Sequence, residues 1–224
     1  MGVQVPPPAE RISLSVQEAR RVQEKLRGRV REEPPPEVRW VAGLDVSFVG
    51  DWTLAVAVAG PFPRFVVREW AIVRRRTDFP YIPGLLAFRE VPAMREALAR
   101  LRRRPDLLLV DAHGRAHPRR FGAASHLGVL EDLPAIGVAK SRLVGQYEDP
   151  APVRGSWSPL VENGEVLGLV LRTRSRVKPV FVSVGHRVTL PIAREIVLAL
   201  SRFREPEPLR WAHRISQWGK RWFC

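Results

Sequence analysis

The chain has 224 residues, 45% apolar and 27% charged, a balance that belongs to globular proteins and excludes a mainly disordered or fibrous chain. Its one cysteine, Cys224, excludes an intramolecular disulfide framework and a cysteine-rich zinc site, and favours a reducing interior. The formal net charge is +14 and only Lys25, Lys140, Lys178 and Lys220 are lysines, so the cation is almost all guanidinium and an acidic polymer is the natural partner.

In chain order, proline clusters at 6–8 and 34–36 bracket the first element. Between them Val16, Ala19, Val22, Leu26 and Val30 recur at helical spacing behind Ser15, a capping residue, which predicts a helix over about 13–30 packed outside the main sheet. Strand-like runs follow at 39–48, 53–59 and 65–75. Gly50 with Asp51, and Gly60 with Pro61, are short enough to be hairpin turns between them, so an antiparallel meander is expected. The pattern then changes to helix (about 85–103), buried strand (106–111), helix (about 121–130) and strand (135–139). Such alternation implies parallel strands joined by right-handed crossovers. Strands at 166–173 and 180–184, a helix at 190–203 and an amphipathic helical segment over about 208–223 complete the chain. The sum is one α/β domain over 1–224: a mixed sheet, antiparallel meander plus parallel strands, flanked by helices on both faces and compatible with an RNase H-like fold. Trp218 and Trp222, at i and i+4, are expected to pack on it. No apolar run approaches the roughly eighteen residues of a membrane helix and no signal-like core precedes 13–30, so a soluble, cytoplasmic protein is expected.

The chemistry lies in carboxylates set among apolar residues. Alternation over 40–48 places Val41, Gly43, Asp45 and Ser47 on one face of a strand, where an ionised carboxylate is costly unless it is paired or binds a cation. A cross-sheet arginine is the alternative partner. Asp111 closes the run DLLLVD, at the carboxyl end of a strand buried on both faces, which is where ligands sit in open α/β sheets; capping of the next turn is the alternative. Glu90 shares a helical stripe with Leu86, Ala93, Ala97 and Leu101, which would face it to the sheet, but Pro92 as either helix start or kink leaves its direction open. Three carboxylates without thiols suit Mg²⁺ or Mn²⁺, and beside a phosphate polymer they point to metal-assisted phosphodiester hydrolysis. Lys140 and His213 are candidates to assist the leaving group. His113, His117 and His126 resemble a zinc set only weakly, because Gly114 and Pro118 break the helix that would align them.

Five segments in order, PYIPGLLAFRE (80–90), VDAHGRAHPRRFGAASHLG (110–128), IGVAK (136–140), GHRV (185–188) and PEPLRWAH (206–213), resemble the endonuclease V family, over most of the chain. The resemblance implies an RNase H-like core and Mg²⁺-dependent cutting, with Mn²⁺ as a substitute, of DNA containing deoxyinosine. The cut is at the second phosphodiester bond 3′ to the inosine, leaving 3′-hydroxyl and 5′-phosphate ends. It implies that Asp45 and Asp111 bind metal with the catalytic Glu90, that His213 lies near the metal, and that Lys140 lies near the scissile phosphate. It matches Tyr81, between Pro80 and Pro83, to a wedge that fills the gap left by an extruded base. Pro80, Ile82, Gly84, Ala112, His113, Gly114 and His117 are the accompanying substrate-binding candidates. Ala112 stands where the family commonly has glycine, so a need for positive φ there would disturb base recognition. An inosine-directed ribonuclease, a broader structure-selective nuclease and, from another class, a non-catalytic nucleic-acid-binding module are the alternatives; a monomer without membrane contact is expected.

Overall fold

A computed structural model describes residues 14–222. The prolines at 6–8, Ser13, Phe223, Cys224 and the side chain of Trp222 lie outside the described residues.

Helix α1, Val16–Arg27, starts with a capping box: Ser15 Oγ accepts from Glu18 N–H at 3.2 Å and Glu18 Oε2 accepts from Ser15 N–H at 2.8 Å. Its apolar stripe packs outside the sheet, Ala19 against Phe79 and Leu85, and Leu26 against Phe121 and Val129. The strands are β1 (Trp40–Val49), β2 (Trp52–Pro61), β3 (Glu69–Arg76), β4 (Leu107–Val110), β5 (Ala135–Ala139), β6 (Trp157–Glu162), β7 (Glu165–Leu171) and β8 (Val180–His186). They form one eight-stranded sheet in the order β3-β2-β1-β4-β5-β8-β7-β6. Only β1–β4 and β4–β5 are parallel. Helices α2 (Ala87–Ala99) and α3 (Ala123–Glu131) cover one face, with Ala42, Leu44, Leu108 and Val110 beneath them. Helices α4 (Leu190–Leu200) and α5 (Glu207–Trp222) cover the other, over Val41, Leu107, Leu109 and Val182. This is the mixed RNase H-like sheet that the residue pattern predicts. No helix among the described residues is long and apolar enough to cross a membrane.

Three local expectations are corrected. Gly60 and Pro61 do not form a hairpin turn: β2 runs through them, Pro61 pairs with Trp40, and the chain returns to pairing only at Glu69. Gly60 serves a close approach instead, since a Cβ there would meet the Val66 carbonyl oxygen at 2.1 Å. Strand β6 was not legible as a strand, although Asn163 and Gly164, both at positive φ, make the tight turn that pairs it with β7. Pro159 sits within it, tolerated because β6 is an edge strand. Trp218 stays at the surface, 44% exposed beside Trp70, because the inward position of that turn is Gly219, where a Cβ would meet Ile72 Cδ1 at 2.4 Å.

The face of β1 that carries Asp45 is the one α5 crosses. A Cβ at Gly43 would meet the backbone carbon of Pro208 at 2.4 Å, and Ser216 Oγ donates to Ser47 Oγ at 2.8 Å. The glycine therefore sets how closely α5 approaches the strand. Gly43→Ala should push α5 outward, costing about 1–3 kcal/mol as overpacking does, and should weaken divalent-cation binding as well. Thermal unfolding and calorimetric titration with Mn²⁺ check both effects; a variant with wild-type cation affinity would show that the helix position is not set here.

Candidate active site

Asp45, 5% exposed, points from β1 toward α5, where His213 Nδ1 lies 3.2 Å from its Oδ2. That hydrogen bond raises the His213 pKa, and the partner of Asp45 is this imidazole and not the arginine of the alternative reading. Asp111 is the first residue beyond β4, and Lys140 the first beyond β5, so parallel pairing sets them side by side at the carboxyl edge of the sheet. Lys140 Nζ lies 2.5 Å from Asp111 Oδ2 and 3.2 Å from Glu205 Oε2. Burial nonetheless pushes the Asp111 carboxyl up to about 6, against the pull of Lys140.

Glu90 is buried in the first turn of α2 and faces the sheet, which resolves its direction; Pro92 is accommodated within the helix. Burial first, and then the charges of Asp45 and Asp111, push its pKa up to about 8. Donor atoms of Asp45, Asp111 and His213 all lie within 4.8 Å of one another, so these three residues can hold a metal ion. Glu90 lies on α2, across the sheet from α5, and is not one of these three mutually close donors among the described residues.

Beside these groups is a pocket of about 420 Å³, lined by Tyr81, Gly84, Glu90, Asp111, His113 and Lys140 among others. Ile82, Ala112 and His117 also line it; Pro80 and Gly114 do not. Gly114 is buried behind the pocket, where a Cβ would meet the Val184 carbonyl oxygen at 2.1 Å. Tyr81 is 70% exposed, so it is not packed beneath its loop. Ala112 is not among the residues with positive φ, and its backbone is one that any L-residue adopts. His113 Nε2 lies 3.0 Å from the Ser141 carbonyl oxygen, while its buried Nδ1 has no partner among the described residues. Burial lowers His117 to about 4 and His126 to about 4, so neither ring is charged at neutral pH. The three histidines form no metal set among the described residues.

Two residues escaped the sequence reading. Glu205 pairs with Lys140 through a contact that no local period announces. Arg89 has a buried, unpartnered Nε, its guanidinium carbon 4.6 Å from the Phe48 ring centre and 5.9 Å from that of Tyr81; its place beside Glu90 in FRE was the only signal.

The family model for Endonuclease V matches residues 22–214. The chain belongs to the Endonuclease V family. It is 51% identical over 208 residues to Endonuclease V of Roseiflexus sp. (strain RS-1), covering 92% of this chain and 94% of that relative. The crystal structure of Endonuclease V from Streptomyces avermitilis is similar at a TM-score of 0.90 and 46% identity, with 96% of each chain covered. Endonuclease V of Ciona intestinalis, in complex with a 24mer DNA containing an inosine followed by a ribo-adenosine, is similar at a TM-score of 0.81 and 28% identity over 93% of this chain and 99% of that one. As a member of the Endonuclease V family the chain is an endonuclease.

The raised carboxyls give a pH signature. Protons held by Glu90 and Asp111 in the folded, metal-free chain stabilise it fully below their ordinary values of 4.5 and 3.8, and that stability is lost as pH rises through about 8 and about 6 respectively. In EDTA, wild-type protein should therefore lose melting temperature between about pH 5 and pH 9 more steeply than Glu90→Gln, and Mn²⁺ should narrow the difference. Parallel curves for the two proteins in EDTA would refute the assignment.

Proposed function

We propose that the chain is a divalent-cation-dependent repair endonuclease that recognises deoxyinosine in DNA and hydrolyses the second phosphodiester bond on its 3′ side, leaving 3′-hydroxyl and 5′-phosphate ends. The observation that carries this reading is the juxtaposition of the Asp45, Asp111 and His213 donors with a pocket roomy enough for a purine base, whose lining includes the exposed ring of Tyr81. The site of the cut follows the family resemblance, and the inosine-containing DNA bound by the Ciona intestinalis relative supports the substrate.

Asp45, Asp111 and His213 would hold the cation, with Glu90 beside it. Two carboxylate oxygens favour Mg²⁺, and the imidazole makes Mn²⁺ an acceptable substitute. The bound ion supplies charge neutralisation at the phosphate and acidifies a water. A positive charge beside Glu90 would also draw its pKa down from about 8, so that its carboxylate can accept a proton from the attacking water at neutral pH. Lys140, held between Asp111 and Glu205, would neutralise charge on the scissile phosphate. Tyr81 would stack into the gap left when the inosine leaves the duplex, offsetting an unstacking cost of a few kcal/mol, roughly. The Gly84 and Ala112 segments and the His113 side chain line the pocket that would read the hypoxanthine edge.

End-labelled duplexes that differ only in one deoxyinosine, incubated with Mg²⁺ or EDTA beside a matched inosine-containing RNA, test this function. A Mg²⁺-dependent nick at the second bond 3′ to inosine in DNA is expected; cutting of RNA alone would transfer the site to the ribonuclease alternative. Asp111→Asn should keep substrate binding and lose cleavage by on the order of a hundredfold or more. Normal nicking by the folded variant would remove Asp111 from the chemistry.

A further inference from the structure

The turn that follows Tyr81 is fixed from outside the sheet. Leu85 N–H donates to the Ile82 carbonyl at 2.9 Å across Pro83 and Gly84, with Gly84 at φ +78°, the geometry of a type II turn. Its outward carbonyl, that of Gly84, accepts from Gln23 Nε2 of α1 at 3.0 Å and from the guanidinium of Arg119, and the His117 ring also addresses it. Gln23 is 1% exposed and uses both ends of its amide. Its Nε2 donates a second bond to the Phe121 carbonyl at 3.2 Å, and its Oε1 accepts from Arg119 Nε at 2.6 Å. One buried side chain thus joins the wedge turn to residues 119–121, whose loop carries His117 and leads to Gly122 and Ala123 in the opposite wall of the pocket.

We infer that Gln23 is a positioning residue for base discrimination: it holds the Pro83–Gly84 turn, and with it Tyr81, at a set distance from the 112–123 wall. The inference rests on the proposed function for what the pocket reads. A hydrophobic residue could fill the same space, but it would leave the Gly84 and Phe121 carbonyls and Arg119 Nε short of a buried partner each, and the turn would gain freedom to move. Helix α1 contributes none of these metal donors, so loss of Gln23 should leave cation affinity unchanged. A misplacement of about an ångström at a positioning element costs up to a hundredfold in rate, which sets the scale of the effect.

The test compares wild type with Gln23→Ala and with Ser15→Ala, which loosens the same helix at its capping box without touching the turn or the 119–121 loop. Each protein is assayed for cleavage of inosine and adenine duplexes, for Mn²⁺ affinity by calorimetry, and for extrusion of the base by a 2-aminopurine placed beside the inosine. Gln23→Ala should raise KM for the inosine duplex and lower the inosine-over-adenine preference by about tenfold or more, with a weaker 2-aminopurine signal and unchanged Mn²⁺ affinity. Ser15→Ala, compared at its own loss of melting temperature, should keep the preference. If Gln23→Ala keeps it, or if both variants lose it equally, the assignment is overturned while the proposed function stands. If wild type itself shows no inosine preference in DNA or RNA, both fall together.

Discussion

Asp45 lies on a strand that has no open side. Neighbouring strands pair with β1 along both edges, α2 and α3 cover the face of Ala42 and Leu44, and α5 covers the face of Asp45 itself. A carboxylate there must find its compensation in what crosses it, because water is excluded. Gly43, one step along the same face, lets α5 come close enough for His213 to reach, and Ser216 on the same helix meets Ser47. The remaining carboxyls then crowd one another: Glu90, which keeps its proton up to about pH 8, and Asp111 converge on Asp45, and Lys140 divides its ammonium between Asp111 and Glu205. The result is a cluster of carboxyls in a chain of net charge +14. The basic surface favours a polyanion, whereas ionised carboxyls at the centre oppose one, so a cation held there would also ease the approach of a phosphate.

How far this was legible can be judged residue by residue. Alternation over 40–48 identified the face of Asp45, because a strand buried on both sides leaves side-chain direction to the period of two alone. The run before Asp111 placed it at a strand end for the same reason. Glu90 was ambiguous because Pro92 permits two helix starts. The structure resolves it through a tight first turn in which Phe88 and Arg89 donate to carbonyls three residues back, so the helix is under way before the proline. Glu205, Gln23 and the role of Gly43 were illegible for a different reason: their partners lie far along the chain, and no period encodes contacts of that separation. Strand β6 was lost to its own edge position, where polar residues and Pro159 are permitted and the apolar alternation fades.

The pocket shows a division of labour between backbone and side chains. Its walls come from turns whose shape is fixed by main-chain geometry, Gly84 at positive φ on one side and the 112–122 segment on the other, braced by the Gly114 backbone bonded to Ser183. Side chains supply the polar groups: the imidazole of His113, the phenol of Tyr81 and the ammonium of Lys140. Because Ala112 holds an ordinary backbone conformation, the methyl group changes the lining of the wall without changing its course.

The hydrogen bond between His213 and Asp45 closes a loop of 168 residues, and the contact between Lys140 and Asp111 one of 29. Closing the longer loop costs more chain entropy than closing the shorter, though only slowly more with length. The donor set therefore depends on docking of α5 over β1 as well as on the sheet itself. A chain with α5 undocked would keep most of its basic residues and lose one of the three donors, so the covering helix is part of the centre and not only of the core.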